Sequence, residues 1–327
     1  MMMSSKIKHL TALLSMIVAV SLFSACGTKL VEGDTPLKVE SESAEFVNNF
    51  KLLSWNIQDG MWCDQFDDYV NFVAYINEIN PDVFCIQEAA SHWDIDGKNL
   101  SHYSRYLPYP DQKNVESKWD NPSGWVALAK RWGHEYVVMG PYKDNYPVVI
   151  TSKYPIEIIE RLRGDENTTV SHGALYAKVH FTDDISVNLV NLHLQPDNVA
   201  NASNFRMNEI NFYLSKTINS KEHYRDEHWL MMGDFNSNVG KNVDVEVRKN
   251  SYYDLWAEMN SYNKSYIDFI YGTESMRKSL KSIDFLYGFA HMDKIMYSPN
   301  GVAINNGVGV WKYSDHYPVL AEFSLYE

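Results

Sequence analysis

A strand–helix–strand unit near the amino-terminal end constrains the fold more than any other part of the sequence. Residues 50–58 are predicted to form a strand, and apolar residues then recur at helical spacing over residues 66–79. Residues 81–88 form a second predicted strand, whose continuous apolar run indicates burial on both faces. Because a crossover of this kind makes the two strands parallel, their carboxyl ends lie at one edge of the sheet. The sequence therefore predicts an α/β domain in which Asn56 and Glu88 are neighbours.

The stretch 229–237 combines a buried strand with two polar side chains at its end. Four apolar residues run directly into Gly-Asp-Phe-Asn. In an extended backbone, residues two apart point the same way, so Asp234 and Asn236 face one site while Phe235 points into the core. Two interpretations fit: a proton acceptor beside a hydrogen-bond donor, or a polar turn, since the same residue types favour turns.

Other predicted strands place polar side chains in the same way. A hairpin is predicted to end with strand 185–193, and a further strand covers residues 282–288. The interval 238–280 is polar and mixed, and we expect one or two helices with loops there. Turn statistics alone do not explain so many acid–base and metal-type side chains at separate strand ends. The candidate site residues are Asn56, Glu88, His193, Asp234, Asn236, Asp284, Asp315 and His316.

Six short motifs resemble those of a known superfamily, in the same order along the chain. They are Trp55-Asn56-Ile57, Ile86-Gln87-Glu88, Asn191-Leu192-His193-Leu194, Gly233-Asp234-Phe235-Asn236, Ile283-Asp284-Phe285 and Ser314-Asp315-His316. These resemble the endonuclease/exonuclease/phosphatase superfamily, which includes deoxyribonuclease I-like enzymes, apurinic endonucleases, inositol-polyphosphate phosphatases and neutral sphingomyelinases. The resemblance spans residue 50 to the carboxyl terminus. It implies a four-layer α/β sandwich, with two mixed sheets face to face and helices outside.

The resemblance also implies a divalent-metal site, and the donor chemistry agrees with it. Carboxylate and carboxamide oxygens suit a hard cation such as Mg²⁺, with Mn²⁺ or Ca²⁺ as alternatives. Glu88 would be the principal ligand, and Asn56 and Asp315 would complete or support the site.

Catalytic roles follow from the same resemblance. Asp234 would position or deprotonate the attacking water. His316, oriented by Asp284, would act in acid–base catalysis or stabilise charge. Asn236 would donate to a phosphoryl oxygen, and His193 would stabilise the pentavalent state or protonate the leaving oxygen. Family members are argued to use either the aspartate or the histidine–aspartate pair as base, and both possibilities stay open here.

The reaction expected from these motifs is hydrolysis of a phosphodiester. A nucleic acid or nucleotide ranks first as substrate, and a phospholipid or phosphoinositol headgroup second. The formal net charge is -13, and no basic tract suggests a long nucleic-acid track. The aromatic-rich stretch 91–122 fits base stacking or a lipid interface, or else a packed surface insertion. Tyr146-Pro147-Val148 replaces a Gly-Asn-Ala type sequence of many members, so a substrate-contacting asparagine is not assigned there. An inactive ligand-binding module is the alternative from another class.

The amino terminus resembles a bacterial lipoprotein signal. Two lysines precede an apolar run over residues 10–23 that is too short for a comfortable membrane span, and small residues then lead into Cys26. A plain secretory signal or an uncleaved anchor are the alternatives. We expect an exported protein, attached to a membrane of the cell envelope through a lipid on Cys26.

Three regions are predicted along the 327 residues. They are the signal at 1–26, a polar tether at 27–46 without periodicity, and one catalytic domain at 47–327. We expect a monomer. Cys85 lies in an apolar strand, which favours a buried thiol over a disulfide with Cys63.

Overall fold

The computed structural model describes residues 46–61, 64, 69–89, 123–141, 146–260, 266–286 and 314–326. The predicted signal, nearly all of the predicted tether, the stretch 91–122 and Cys63 lie outside these residues. Within the described part of the chain, no helix is long and apolar enough to cross a membrane. Cys85 is a buried free thiol, as the sequence predicted.

The described residues form twelve strands and seven α-helices. The strands are β1 (Phe46–Asn56), β2 (Val83–Gln87), β3 (Tyr136–Met139), β4 (Val149–Ser152), β5 (Ile156–Leu162), β6 (Ala174–His180), β7 (Ser186–His193), β8 (Trp229–Asp234), β9 (Tyr253–Asp254), β10 (Asp268–Gly272), β11 (Leu280–Phe285) and β12 (Val319–Tyr326). The helices are α1 (Gln58–Met61), α2 (Val70–Ile79), α3 (Ser123–Lys130), α4 (Ala202–Lys216), α5 (Asn242–Lys249), α6 (Leu255–Met259) and α7 (Glu274–Ser279), and a 3₁₀ helix covers Glu222–Asp226.

Two six-stranded sheets share one plan. The first has the order β11-β12-β1-β2-β4-β3, and the second has the order β5-β6-β7-β8-β10-β9. At the centre of each sheet lies one parallel pair, β1 with β2 and β7 with β8, and the flanking pairs are antiparallel. The predicted crossover and hairpin are therefore confirmed. Each sheet brings two strand ends together at the carboxyl edge of its parallel pair.

Alternating side chains place the two sheets face to face. Leu52 of β1 belongs to the apolar core that also contains Leu189 of β7, whereas the next residue, Leu53, packs outward with Phe72 of α2. This alternation is what a strand covered on both faces requires. Because α4 contributes Ile210 to the shared core, helices cover the second sheet too. The architecture is the predicted four-layer α/β sandwich.

The interval 238–280 departs from the prediction of helices and loops. Besides α5, α6 and α7, it contains the strands β9 and β10, and β10 pairs antiparallel with β8. β10 has only five residues, and the sequence around it is polar, so no long apolar run marks it as a strand. This miss matters, because the first residue of β10 belongs to the site described below.

Candidate active site

The site lies where the carboxyl ends of the two central parallel pairs meet. β1 and β2 deliver Asn56 and Glu88, whose Nδ2 and Oε1 atoms lie 3.0 Å apart. β7 and β8 deliver His193 and Asp234, which are direct register partners. The predicted neighbourhood of Asn56 and Glu88 is confirmed, and four of the eight candidate residues come from these strand ends.

A buried carboxamide pair joins the two sheets directly behind the site. Gln87 Nε2 donates to Asn191 Oδ1 at 2.7 Å. Asn191 Nδ2 in turn donates to the backbone oxygens of Ile86 and Val149, at 3.0 and 2.9 Å. Because these groups are buried, leaving any of them unpaired would cost about 1–3 kcal/mol. The pair therefore fixes the distance between the strand ends of the two sheets.

Gly233 allows the close approach of β8 to β7. Its φ is 138°, and a Cβ atom there would lie 1.9 Å from the backbone oxygen of Leu192. Two residues that follow central strands, Glu88 and Asn236, have φ of 54° and 48° although neither is glycine. Left-handed backbone at such residues costs free energy and clusters at functional sites. The local backbone is thus bent to aim these side chains.

Asp234 is the centre of the hydrogen-bonded network. Its Oδ1 accepts the backbone N–H of Asn236 at 2.8 Å, and its Oδ2 accepts Nδ2 of Asn56 at 3.0 Å. The Nε2 atoms of His193 and His316 lie 3.4 and 3.5 Å from the same Oδ2. Burial raises the pKa of Asp234 to about 7, against the lowering effect of the His316 charge. A carboxylate in this state accepts a proton near neutral pH.

His316 is held by a second carboxylate. Its Nδ1 lies 2.9 Å from both carboxylate oxygens of Asp268. The loop before β12 is fixed by Ser314, whose Oγ donates to the backbone oxygen of Asn56 and accepts the N–H of His316. Burial opposes a charge on His316, but Asp268 and Asp234 outweigh it and raise its pKa well above the ordinary value. His316 is therefore an imidazolium at neutral pH.

The predicted pairing of Asp284 with His316 is wrong. Asp284 lies on β11 opposite Leu320 and is exposed to solvent. Asp268 occupies the predicted position instead, because β10 pairs with β8 in the register that sets Asp268 opposite Asp234. The sequence contains the tripeptide Ile-Asp-Phe twice, at 267–269 and 283–285. The copy at 267–269 is the sequence signal that could have identified Asp268 as the partner of His316.

His193 has a different environment from His316. Its Nδ1 is buried, and none of the described residues hydrogen-bonds to it. The ring stacks on that of His172, with centroids 4.1 Å apart and planes inclined by 24°. Burial, followed by the charges of His172 and His316, lowers the pKa of His193 well below its ordinary value. His193 is therefore neutral at pH 7, and His172 is part of its surroundings.

Two of the three predicted metal ligands, Asn56 and Asp315, lie in different surroundings. Asn56 turns Nδ2 toward Glu88 and Asp234, while its Oδ1 accepts the N–H of Gln58 at 3.0 Å. Asp315 is exposed, with Oδ1 3.8 Å from Nε2 of His316. Their role as ligands stays a prediction.

A second group of ligand-type atoms lies next to Glu88 and Asn56. Asp234, Asp268 and His316 each offer one such atom, and these lie within 4.8 Å of one another. Asn236, the remaining candidate, donates Nδ2 to the backbone oxygen of Leu194 at 2.9 Å. The structure thus brings all the candidates except Asp284 to one place, and adds Asp268.

Comparison with known proteins assigns the chain to a family. A family model described as the endonuclease/exonuclease/phosphatase family matches residues 53–316, which is more than half of the chain. The chain belongs to this family. Membership indicates a hydrolase that acts on phosphoester bonds, in a family that typically depends on a divalent metal. No curated protein matches the chain.

Solved structures of family members share the fold at low sequence identity. A family protein from Bacteroides thetaiotaomicron is 13% identical, with a TM-score of 0.54, over 85% of this chain and 98% of the other. Truncated TDP2 from Caenorhabditis elegans is 13% identical, with a TM-score of 0.53, over 85% and 98%. An AP endonuclease from Archaeoglobus fulgidus is 12% identical, with a TM-score of 0.51, over 84% and 100%. These likenesses show the fold, including the two mixed sheets.

Proposed function

We propose that the protein hydrolyses phosphodiester bonds by in-line attack of a water molecule, with Mg²⁺ as its metal. The observation that supports this most is the convergence on Asp234 Oδ2 of a carboxamide and two imidazoles, one neutral and one cationic. Such a centre holds a proton acceptor, a positive charge and a neutral donor within one small volume. These are the groups that phosphoryl transfer to water requires.

The donor set fits a hard divalent cation. Glu88, Asp234, Asp268 and Asp315 offer carboxylate oxygens around the site, and Mg²⁺ prefers such ligands together with water and substrate phosphate. Glu88 is the principal proposed ligand, with Asn56 and Asp315 in support. When bound, the metal neutralises phosphoryl charge and orients the phosphate.

Asp234 and His316 have complementary proposed tasks. Asp234 orients the attacking water and takes its proton, because its raised pKa matches that step near neutral pH. His316, kept cationic by Asp268, stabilises negative charge that develops on the phosphoryl oxygens. The alternative, in which the His316–Asp268 pair is the base, requires His316 to lose its proton first. The raised pKa of His316 favours the first assignment.

His193 supplies a neutral N–H rather than a proton for the leaving oxygen. Its pKa is lowered well below the ordinary value by burial, so it is a weak reservoir of protons at pH 7. A neutral imidazole still donates a hydrogen bond to a phosphoryl oxygen. Of the two roles predicted from the sequence, this favours stabilisation of the pentavalent state. Asn236 is proposed as a further donor.

We rank nucleic acid or nucleotide diesters first as substrates. One structural neighbour is named as an AP endonuclease, which supports this order. A phospholipid headgroup is the second candidate, favoured by the net charge of -13 and by the signal-like sequence that ends at Cys26. Export and a lipid anchor on Cys26 are part of the proposal. An inactive binding module is disfavoured, because the sequence retains Glu88, Asp234 and His316.

A panel of substrates with added Mg²⁺ or Mn²⁺ tests the proposal. Single- and double-stranded DNA, a generic diester, a phosphomonoester and a phospholipid are offered to the full chain with and without a chelator. We expect metal-dependent turnover of a diester, abolished by Asp234→Ala and strongly reduced by His193→Ala. Absence of turnover on every substrate with either metal would overturn the assignment as an enzyme.

A further inference from the structure

His193 lacks the usual support of a buried catalytic histidine. A functional imidazole normally has its second ring nitrogen fixed by an acceptor, which sets the ring orientation. His316 follows this rule through Asp268. For His193, none of the described residues hydrogen-bonds to the buried Nδ1, although Nε2 must stay near Asp234. Something other than a hydrogen bond therefore has to hold the ring.

The ring of His172 covers one face of His193. The two planes are inclined by only 24°, with centroids 4.1 Å apart, and His172 itself is only 7% exposed. The ring of Tyr146 meets His172 edge-on, with centroids 5.4 Å apart and an interplanar angle of 75°. A flat ring pressed on another flat ring restricts rotation about the side-chain bonds. This packing supplies the orientation that Nδ1 does not.

One buried carboxylate fixes the two chain segments that contain these rings. Glu209 of α4 is fully buried. Its Oε1 accepts both the backbone N–H and the hydroxyl of Ser171, at 2.6 and 2.7 Å, and its Oε2 accepts the N–H of Gln195 at 2.9 Å. Ser171 directly precedes His172, and Gln195 follows His193 by two residues. Three hydrogen bonds from two separate segments converge on this one buried side chain, so the link between the segments is stiff.

The preceding helical turn reinforces the same link. Arg206, which is 6% exposed, donates Nη1 to the backbone oxygen of Gln195 at 2.8 Å and Nη2 to Asp197 at 2.7 Å. Gln195 is thus held at both its N–H and its C=O by one face of α4. Neither Glu209 nor Arg206 contacts the Asp234 side chain in the described network, so both act on the site through the chain segments that they hold.

We propose that Glu209 and His172 are positioning residues of this site: Glu209 fixes the segments that contain His172 and His193, and the His172 ring holds His193 beside Asp234. The inference rests on the proposed hydrolysis, because the rate of that reaction is one of the two measurements that report the placement of His193. It adds two residues that neither the motifs nor the strand ends pointed to. It also explains a buried carboxylate that the proposed mechanism does not use.

The test compares variants that keep or remove a flat ring. His172→Phe keeps the ring without nitrogen, His172→Leu keeps bulk without a ring, and Glu209→Gln turns one acceptor into a donor that faces an N–H. We expect His172→Leu and Glu209→Gln to lower kcat about 10–100-fold, with KM changed less than about two-fold, and His172→Phe to stay close to wild type. His134→Leu, a buried histidine remote from the site, is the control for lost stability and leaves kcat unchanged.

A second measurement works without turnover. Imidazole ¹⁵N spectra of the metal-free full chain report the tautomer and order of His193. We expect the His193 signals of His172→Phe to match wild type, and those of His172→Leu to shift or broaden. Wild-type kcat in His172→Leu, a folded His172→Phe as slow as His172→Leu, or unchanged His193 signals in His172→Leu would each overturn the inference. Lack of wild-type turnover would overturn the proposed function alone, because the spectra still test the positioning.

Discussion

His193 and His316 place their Nε2 atoms at nearly the same distance from one oxygen of Asp234, 3.4 and 3.5 Å. They differ in the groups that surround the rest of each imidazole ring. Behind His316 lies the Asp268 carboxylate, which keeps the imidazole charged despite its burial. At Nδ1 of His193 none of the described residues forms a hydrogen bond, and the ring of His172 on its face offers no compensating charge, so burial keeps the imidazole neutral. The group at the far nitrogen decides the charge of a buried histidine.

In the proposed mechanism, this asymmetry gives the two sides of the site separate roles. The His316 side provides positive charge, and the His193 side provides a neutral hydrogen-bond donor. Both meet at Asp234, whose Oδ2 is also bound by Asn56 from the other sheet. We test this division at Asp234, at Asp268, and at His134, a buried histidine outside the site.

Removing the shared carboxylate has the largest expected effect. Asp234→Asn keeps the shape but removes the proton acceptor, and we expect kcat to fall about 1,000-fold, as for loss of a general base. Initial rates on the best diester, with Mg²⁺ saturating, measure this. The near-ultraviolet circular dichroism of the variant should match wild type. A folded variant with nearly full rate would show that Asp234 is not the acceptor.

The two Ile-Asp-Phe aspartates form a matched pair for the next test. Asp268→Asn removes the anion behind His316, so the His316 pKa should fall toward its ordinary value and kcat should drop about 100-fold. Asp284→Asn changes the same tripeptide at an exposed position and should leave both unchanged. Rates together with a ¹⁵N imidazole titration separate the two. Equal effects of the two substitutions would contradict the pairing seen in the structure.

His134 tests the underlying rule away from the site, with the smallest expected effect. Neutral groups lie at both of its nitrogens: Thr151 Oγ1 at 2.7 Å from Nδ1, and the Pro81 backbone oxygen at 2.8 Å from Nε2. Burial lowers its pKa to about 4 from 6.5. The unfolded chain therefore binds a proton that the folded chain rejects. The stability contributed by His134 is complete above about pH 6.5 and is lost as the pH falls toward about 4.

The measurement compares urea unfolding of wild type and His134→Gln. Wild type should lose about 2 kcal/mol more unfolding free energy than the variant between about pH 7.5 and about pH 5. If His134→Gln kept the wild-type pH dependence, a neutral environment would not suffice to keep a buried histidine uncharged.

Much of the fold was available from the sequence, because long apolar runs have few alternatives. The crossover over residues 50–88 fixed the parallel pair β1–β2, and the hairpin before His193 gave β6 and β7. The short strand β10 was missed, since five residues in a polar region give little periodicity. The candidate residues at the ends of long strands were brought together as predicted, and the error arose where the strand itself was not recognised.

The local sequence was enough to recognise the family and the strand ends that present Asn56, Glu88, His193 and Asp234. Which Ile-Asp-Phe aspartate meets His316 depends on strand pairing across the sheet. The two tripeptides are identical, but β10 pairs with β8 and sets Asp268 opposite Asp234, whereas β11 pairs with β12 and sets Asp284 opposite Leu320. The tertiary structure likewise decided the stack of His172 on His193, since residues distant in sequence meet there. The choice of pairing partner and the stacking of rings depend on contacts between segments distant in the chain, and local sequence does not specify them.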